Sequence, residues 1–247
     1  MDRLVLIGIG TGNPDHLTGE GAAAIRGADL LLIPRKGDDK ADLADLRRSM
    51  CQSVLGDGFE NRLVYFDMPQ RDASGDYRQG VDDWHDAIAA AWTRALDGRG
   101  AETVGMLIWG DPSLYDSALR IAARLLPKPD VTVVPGITAL QALTAAHAIP
   151  LNDINEPVVI TTGRALRDTG WPKGAETVAV MLDGALSFRG LDPKGLTIWW
   201  GAHLGMKNQT LVHGPLADVA AKIEDTRKSA RNDHGWVMDT YLLKRTN

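Results

Sequence analysis

Cysteine is nearly absent from this sequence, which has a single one, Cys51, among its 247 residues. One cysteine cannot form an intramolecular disulfide, and it excludes a metal centre built from several thiolates. So low a cysteine content is typical of proteins from a reducing compartment. The chain also lacks a convincing cluster of metal-ligating side chains, and we therefore expect no bound metal.

Long apolar runs and an excess of positive charge are missing as well. No stretch approaches the roughly 18 residues that a membrane-spanning helix needs. The first apolar run, Leu4–Ile9, has the pattern of a strand rather than that of a signal peptide. A net charge of −5 opposes unspecific attraction to nucleic acid, although a small anionic ligand needs only a local basic lining. We therefore expect a cytoplasmic protein that binds neither membranes nor nucleic acid.

The composition that remains is that of a globular protein, with 44% hydrophobic and 24% charged residues. At this length the chain can form one large domain or two small ones. Its first half alternates short apolar runs with helical stretches, and this alternation predicts a parallel sheet with crossover helices. The strand candidates are Leu4–Ile9, Leu30–Ile33, Leu63–Phe66, Val104–Trp109 and Val131–Val134.

The second half begins with a connecting helix predicted over Ile137–Ala148, where small residues are frequent. A helix is also predicted from about Leu216 to Lys228. Because a regular helix does not follow every later strand, a mixed sheet is expected there. The sequence thus predicts an α/β fold with a parallel sheet in its first half and a mixed sheet in its second. The later strand candidates are Val158–Thr161, Thr177–Leu182, Leu196–Trp200 and Trp236–Leu243.

One helix of the first half has a clear apolar periodicity, from Val81 to Leu96, with Asp82 and Asp83 expected in its first turn. Trp84 and Trp92 fall on the apolar face and are predicted to be core residues. The stretch from Phe66 to His85, which overlaps the start of this helix, is predicted to be rich in turns and to lack apolar periodicity.

Three segments combine glycine with polar residues directly after a predicted strand. Gly8–Pro14 follows the first strand, but the dinucleotide-binding pattern G-x-G-x-x-G fails because its third glycine would fall at Asn13. Gly110–Tyr115 and Val133–Ala139 are the other two. Ligands of parallel sheets bind beyond the carboxyl ends of the strands, where all three would lie. Each segment alone is at least as typical of a tight turn as of a ligand-binding loop, and Thr138 would also suit a helix N-cap. Their order and spacing together favour a ligand site.

This order and spacing resembles the tetrapyrrole methylases: a glycine-rich first loop, then Gly110-Asp111-Pro112 about a hundred residues later, then Pro135-Gly136-Ile137 about 25 further on. The resemblance extends over the whole chain. Thr177–Leu182 is similar to the strand that carries a cofactor-contacting methionine, and Gln209–Val219 to the family's segment before the last helix. The family implies an α/β fold of two αβα domains, residues 1–136 and 137–247, with the active site in the cleft between them, S-adenosylmethionine as cofactor, and a homodimer.

The resemblance also implies which residues contact the cofactor. The chain departs from the family pattern at Thr11, where most relatives have proline, and at Ala139, where many have serine. Since Asp111 lies in a turn after a strand, we expect it to contribute little to packing. The implied cofactor-binding residues are Gly10, Gly12, Gly110, Asp111, Leu114, Thr138, Ala139, Met181 and the neighbourhood of Ala202.

Within the family, residues 61–87 and the Ile149–Asp153 segment are similar to members that methylate C1 of a precorrin in cobalamin biosynthesis and release the extruded acetyl group. Removal of an acetyl group needs a base and a group that stabilises the carbonyl oxygen. His85 is more plausibly structural, and turns favour aspartate at residues 67 and 153 in any case. The candidates are Asp67, Tyr77, Asp111 and Tyr115, followed by His85 and Asp153.

A precorrin carries several carboxylates, so the resemblance also implies arginines that bind them. Any single basic residue among the candidates could equally be a solvated surface charge, so we predict substrate binding by the candidates as a group and not by each of them. We expect the segment between Phe66 and residue 85 to border the substrate. The candidates are Arg35, Arg71 and Arg78, with Lys36 and Arg164 in addition.

Two alternatives stay open. One is another precorrin or uroporphyrinogen-III methyltransferase of the same family. The other is a non-catalytic module that binds a tetrapyrrole. A relative that methylates ribosomal RNA is disfavoured because the sequence has no basic stripe with interleaved stacking side chains.

Overall fold

A computed structural model of the chain describes residues 1–35, 41–72 and 74–246. They form two compact units, residues 1–137 and 138–247. Across these described ranges, no helix combines the length and the apolar character that crossing a bilayer requires. Lys36 lies outside the described residues.

The first unit is a parallel sheet with helices on both faces. The five predicted strands of this half are confirmed, and the sheet order is β3-β2-β4-β1-β5. The elements in chain order are β1 (Arg3–Gly8), α1 (Gly19–Gly27), β2 (Leu30–Arg35), α2 (Ala41–Leu55), β3 (Leu63–Asp67), α3 (Tyr77–Leu96), β4 (Thr103–Ile108), α4 (Ala118–Ala122) and β5 (Asp130–Val134).

The apolar strands of this unit serve two cores, because successive side chains point to opposite faces of the sheet. Leu4 and Leu6 of β1 belong to the cluster that includes Ile88 and Trp92 of α3. The other face of β1 contributes to a cluster with residues of α1 and α2, such as Ile25. Helices on both faces explain why these strands are nearly continuous runs of apolar residues.

The chain order of the strands creates a ligand-binding edge. From β1 the chain crosses towards β2, whereas from the neighbouring strand β4 it crosses in the opposite direction towards β5. Where two adjacent connections depart in opposite directions, a crevice opens beyond the carboxyl ends of the strands. We call this end of the first sheet its carboxyl edge.

Helix α3 begins earlier than its apolar periodicity indicates. It starts at Tyr77, because the side chain of Asp76 accepts hydrogen bonds from the backbone amides of Arg78, at 3.0 Å, and Gln79, at 2.9 Å. The expected turn-rich stretch therefore ends at residue 76. Asp82 and Asp83 lie in the second turn of the helix, so their expected place in the first turn was wrong.

The second unit is built on a sheet of order β6-β7-β10-β8-β9. This sheet is mixed, as the sequence predicts. Only β6 and β7 run parallel, and the other pairs are antiparallel. Sequence analysis missed β9, whose β-type residues are few and end in Gly214-Pro215. The elements are α5 (Ala139–His147), β6 (Val158–Thr162), α6 (Gly163–Thr169), β7 (Thr177–Met181), β8 (Leu196–Ala202), β9 (Thr210–Pro215), α7 (Leu216–His234) and β10 (Asp239–Arg245).

A buried ion pair lies within the core of the second unit. Asp239 accepts hydrogen bonds from Trp200 Nε1 at 3.0 Å and from Arg227 Nε at 2.9 Å. Burial raises the pKa of Asp239, and the Arg227 guanidinium opposes that rise. The pair joins α7 to two neighbouring strands of the sheet. Trp200, Tyr241 and Ile198 belong to the main apolar cluster of the same unit.

His85 of α3 is 3% exposed, its ring lies 5.8 Å from that of Trp84, and no hydrogen-bond partner is found among the described residues for either ring nitrogen. Burial lowers its pKa, with further contributions from Arg124 and Arg120, while Asp82 and Asp86 oppose them. The unfolded chain has the ordinary histidine pKa of about 6.5 and therefore binds the proton more tightly than the folded chain. The contribution of His85 to the free energy of unfolding is therefore fully present above about pH 6.5, and it is lost as the pH falls below that value.

We predict that a His85→Leu variant loses less unfolding free energy than the parent protein between pH 7 and pH 5, because it has no buried imidazole to protonate. Urea denaturation at the two pH values measures this difference. An equal loss in both proteins would show that His85 does not contribute to acid sensitivity.

Candidate functional site

The first two glycine segments meet at the carboxyl edge of the first sheet. The Gly10 amide donates to the Gly110 carbonyl at 3.2 Å, and the Gly110 amide donates to the Gly10 carbonyl at 2.8 Å. Both residues have positive φ, +74° and +66°, which glycine adopts readily. The two loops are thus joined at the point where the chain leaves β1 and β4.

The third glycine segment reaches the same point. A Cβ atom built on Gly8 would lie 2.5 Å from the Gly136 amide nitrogen and 2.9 Å from the Gly110 carbonyl oxygen. Real Cβ atoms do not approach backbone atoms so closely, and a Cβ on Gly136 would collide with the Gly110 carbonyl oxygen and with the backbone of Gly8. The structure therefore brings together all three segments that the sequence singled out, and it does so through glycine backbones.

Asp111 fastens two of these loops with its carboxylate. One oxygen, Oδ1, accepts from the Ser113 amide at 2.8 Å and from the Ser113 hydroxyl, and Oδ2 accepts from the Gly136 amide at 2.9 Å. Burial would raise its pKa, but the bonds from Ser113 and Gly136 outweigh burial and hold the pKa below the ordinary value. The expectation that Asp111 contributes little to packing was wrong, because the residue is 9% exposed.

The rest of the first two loops offers both backbone and side-chain groups at this edge. Gly12 has a φ of +108°, and the buried Thr11 hydroxyl is 3.1 Å from His16 Nδ1. Leu114 is half-buried after Asp111. Tyr115 has a φ of +51° and is partly exposed, and burial raises the pKa of its phenol. The phenol is therefore protonated at neutral pH and suited to donate a hydrogen bond.

Arg35 and Asp67 lie side by side at the carboxyl edge, because β2 and β3 pair in a register that aligns them. Arg35 Nε is 3.7 Å from Asp67 Oδ1, and the guanidinium lies 4.9 Å from the ring centroid of Tyr65. Both charged side chains are exposed. An exposed pair at this distance contributes little to stability, so both groups remain available to a ligand.

Arg71 and Tyr77 form a second exposed group, after β3. The Arg71 guanidinium lies 5.1 Å from the centroid of the Tyr77 ring. Arg78 follows in the first turn of α3 and is exposed. The structure thus places Arg71, Tyr77 and Arg78 together on the segment that leaves β3 at the carboxyl edge.

In the second unit, Thr138 and Ala139 open α5. The Thr138 hydroxyl accepts from the Leu140 amide at 3.2 Å and donates to the Gln141 side chain, so it serves as the N-cap of the helix. Ala139 is the first helical residue and is half-buried. The hydroxyl is thus engaged in capping, whereas the small side chain of Ala139 leaves the start of the helix uncrowded.

Met181 and Ala202 lie at the same end of the second sheet. They end β7 and β8, which lie on either side of β10, and Ala202 pairs with Asp239 at the start of β10. Ala202 is 0% exposed, so a ligand at this end of the sheet would contact the residues next to Ala202 rather than its methyl group. Residues with positive φ follow both strands, Leu182 at +54° and His203 at +50°.

Asp153 does not lie at this end of the sheet. Its Oδ1 accepts from Lys244 Nζ at 3.3 Å, and Lys244 pairs with Thr177, the first residue of β7, at the opposite end of the strands. His85 is enclosed in the helical layer of the first unit. Within the described ranges, no group of three or more histidine, cysteine, aspartate or glutamate side chains is arranged to hold a metal ion.

Sequence analysis missed one buried carboxylate near the end of β7 that carries Met181, that of Asp183. It lies two residues beyond β7 and is hydrogen-bonded to groups of β10 and of the following turn. No local pattern marks it, since an aspartate before glycine is typical of any turn.

Comparison with known proteins gives concordant results. A precorrin-6A synthase [deacetylating] of Sinorhizobium sp is 42% identical over 252 residues, which cover 99% of this chain and 96% of that protein. A precorrin-2 C(20)-methyltransferase of Sinorhizobium sp is 28% identical over 153 residues, covering 61% and 60%. The crystal structure of a cobalamin synthesis related protein, CobF, from Corynebacterium diphtheriae superposes with a TM-score of 0.85 and 35% identity, covering 100% of both chains.

The family model for Tetrapyrrole (Corrin/Porphyrin) Methylases matches residues 3–220. This range contains all three glycine segments and both of the strand ends that carry Met181 and Ala202. The chain belongs to the tetrapyrrole methylase family.

Proposed function

We propose that this protein is an S-adenosylmethionine-dependent C-methyltransferase that converts precorrin-5 to precorrin-6A, methylating C1 and releasing the extruded acetyl group as acetate. The observation that carries the proposal is the 42% identity to a precorrin-6A synthase [deacetylating], which extends over 99% of this chain. The similarity to a precorrin-2 C(20)-methyltransferase is lower and covers 61% of the chain, so a different methylation site is the less favoured candidate.

The residues at the carboxyl edge of the first sheet fit such a cofactor. It would supply an electrophilic methyl group, and the protein's task is to hold this group in line with the substrate carbon. The crevice at the departure of β1 and β4 offers glycine backbone and the half-buried Leu114. We assign the cofactor contacts to Gly10, Gly12, Gly110, Leu114, Thr138, Ala139, Met181 and the backbone around Ala202, with Asp111 acting by fixing the loops.

Substrate carboxylates are assigned to the exposed arginines after β2 and β3. Arg35, Arg71 and Arg78 lie at the carboxyl edge or on the segment that leaves it, and all three residues are exposed. A guanidinium binds a carboxylate through two parallel hydrogen bonds. Stacking on Tyr65 and Tyr77 orients two of these guanidinium groups without using their donors.

Removal of the acetyl group needs a base for water. We assign this role to Asp67, whose exposed carboxylate lies at the carboxyl edge beside Arg35. The base takes a proton from water as the oxygen adds to the acetyl carbonyl. The bond between C1 and the acetyl carbon then breaks, acetate leaves, and the electron pair remains on C1 for methylation. Tyr77 and Tyr115 are assigned as phenol donors to the carbonyl oxygen.

A non-catalytic tetrapyrrole-binding module is the less favoured hypothesis, because all three glycine segments are intact and meet at one point. Two further parts of the proposal, a homodimer and a cytoplasmic location, rest on the family resemblance and on the low cysteine content.

The function is tested with methyl-labelled S-adenosylmethionine and a panel of precorrins, with the products analysed by mass spectrometry. We expect methylation of precorrin-5 with one acetate released for each methyl group transferred, and no loss of activity in the presence of a chelator. Methylation without acetate would indicate another member of the family.

For the loop clamp, we predict that Asp111→Asn binds S-adenosylhomocysteine at least tenfold more weakly, which is about 1.4 kcal/mol. The amide must turn an N–H towards one of the donors from Ser113 or Gly136, so at least one hydrogen bond breaks and the loops separate. Isothermal titration calorimetry measures the affinity. Thermal unfolding should also show a lower Tm, because the residue is buried. Parental affinity in this variant would remove Asp111 from the site.

For the segment after β3, Arg71→Ala and Arg78→Ala should each raise the KM for the precorrin. The loss of binding free energy should be about 1.5–3 kcal/mol for every charge-assisted hydrogen bond that the substitution removes. Cofactor affinity should stay unchanged. Arg3→Ala is the matched control, because Arg3 is an exposed, ion-paired arginine at the opposite end of β1. Normal KM values in both variants would show that the segment does not bind substrate.

In the same experiment, Asp67→Asn and Tyr77→Phe should lower acetate release while cofactor affinity stays at the parental value. Acetate and methylated product are quantified separately. Unchanged acetate release in both variants would assign the base and the carbonyl donor elsewhere.

A further inference from the structure

Asp183 is a fully engaged carboxylate just beyond the end of β7. It is 5% exposed. Its Oδ1 accepts from the Ala185 amide at 3.1 Å and the Ser187 hydroxyl at 2.8 Å, and its Oδ2 accepts from the Ser187 amide at 2.6 Å and the Tyr241 hydroxyl at 2.6 Å. Leaving a buried carboxylate with unmet hydrogen bonds is costly, and these four donors remove that cost.

Of its two side-chain partners, Tyr241 makes the shorter hydrogen bond, at 2.6 Å against 2.8 Å for the Ser187 hydroxyl. Burial, together with the neighbouring Asp183 carboxylate, raises the pKa of Tyr241. The phenol therefore keeps its proton and donates a hydrogen bond to Asp183. Because Tyr241 is in the middle of β10 and its ring packs at 5.3 Å from that of Phe188, the bond ties the turn after β7 to the rigid interior of the sheet.

Gly163 shows how closely this carboxylate is enclosed. A Cβ atom at Gly163, the first residue of α6, would collide with the carboxyl group of Asp183. The same carboxylate thus fits against the junction of β6 and α6, bonds to β10, and closes the turn after β7. Three neighbouring pieces of chain are located relative to one another by one side chain.

The residue that this arrangement controls is Leu182. It has a φ of +54°, which is strained for leucine, and it is 66% exposed. Neither strain nor exposure of a leucine is explained by core packing, and strained residues held by their surroundings cluster at functional sites. The conformation is imposed because Met181 before it ends a paired strand and Asp183 after it is fixed by four hydrogen bonds.

Asp111 provides a chemical parallel in the first unit. It too follows a strand end, accepts from a nearby serine through both backbone and hydroxyl, and accepts from a second backbone amide, that of Gly136. In both cases a buried carboxylate, which only accepts hydrogen bonds, gathers backbone amides of a loop after a strand.

We infer that Asp183 is a positioning residue for the methyl transfer, holding Met181 and Leu182 in the geometry in which they contact the cofactor. The inference rests on the proposed function. Asp183 acts through the turn and does not touch the cofactor, so its effect is on the shape of the turn rather than on the charge that the cofactor meets.

The test compares Asp183→Asn with the parent protein in calorimetric titrations of S-adenosylmethionine, which carries a positive sulfonium, and S-adenosylhomocysteine, which does not. An altered turn geometry should lower the affinity for both ligands alike, by about tenfold or more. Weakening of S-adenosylmethionine alone would show a charge effect and overturn the positioning role. Unchanged affinity for both ligands would overturn it as well.

Two further variants keep the test decisive if Asp183→Asn does not fold. Tyr241→Phe removes one of the four donors and Ser187→Ala removes another. Each should weaken the binding of both ligands, by about two- to fivefold, because each removes one of the four hydrogen bonds and leaves the other three to hold the turn. Parental affinities in both would contradict the inference.

Lys244→Met is the matched control, since Lys244 lies in the same sheet at the opposite end of β7, paired with Asp153. It should lower the Tm and leave both affinities unchanged, and a loss of affinity equal to that of the Asp183 variant would reduce the effect to general destabilisation. The parent protein separates the two hypotheses. If it binds neither ligand, the proposed function fails, whereas binding that none of the turn variants changes refutes only the inference.

Discussion

The close approach of three glycine backbones, at Gly8, Gly110 and Gly136, is the constraint on which the first unit depends. Any side chain at the first or third of these positions would force the loops after β1, β4 and β5 apart. The approach is held by the paired amides of Gly10 and Gly110 and by the carboxylate of Asp111. A ligand edge built from backbone offers hydrogen-bonding groups in fixed positions, which reduces the entropy cost of binding.

Buried carboxylates stabilise loop geometry in both units. Asp111 and Asp183 each accept several hydrogen bonds, and in each case two of them come from backbone amides of loops that follow strands. Bonds to a charged acceptor are stronger than those between neutral groups, so a single aspartate fixes several residues. Its replacement leaves buried donors unpaired, and the expected result is a change in the loop and not only a loss of charge.

The residues proposed to bind the substrate are held differently. Arg35, Asp67, Arg71 and Tyr77 are exposed and meet one another through a 3.7 Å ion pair and ring contacts near 5 Å. Such contacts contribute little free energy and leave the donors of the arginines free to adapt to a ligand. A methyl donor that must be aligned precisely with one carbon requires rigid loops, whereas a large polycarboxylate is suited to solvent-exposed arginines at the rim.

The sequence alone determined the strands of both sheets except β9, the connecting helix and the three glycine segments, because period, turn residues and spacing are local properties of the chain. It did not determine the start of α3, which depends on the Asp76 cap, or the weak edge strand β9. Only the tertiary structure showed that Gly8 and Gly136 touch, that Asp111 is a clamp, that Asp153 is paired with Lys244, and that Asp183 is enclosed. These features join residues 25 to 128 positions apart, and no local pattern encodes a contact at that separation.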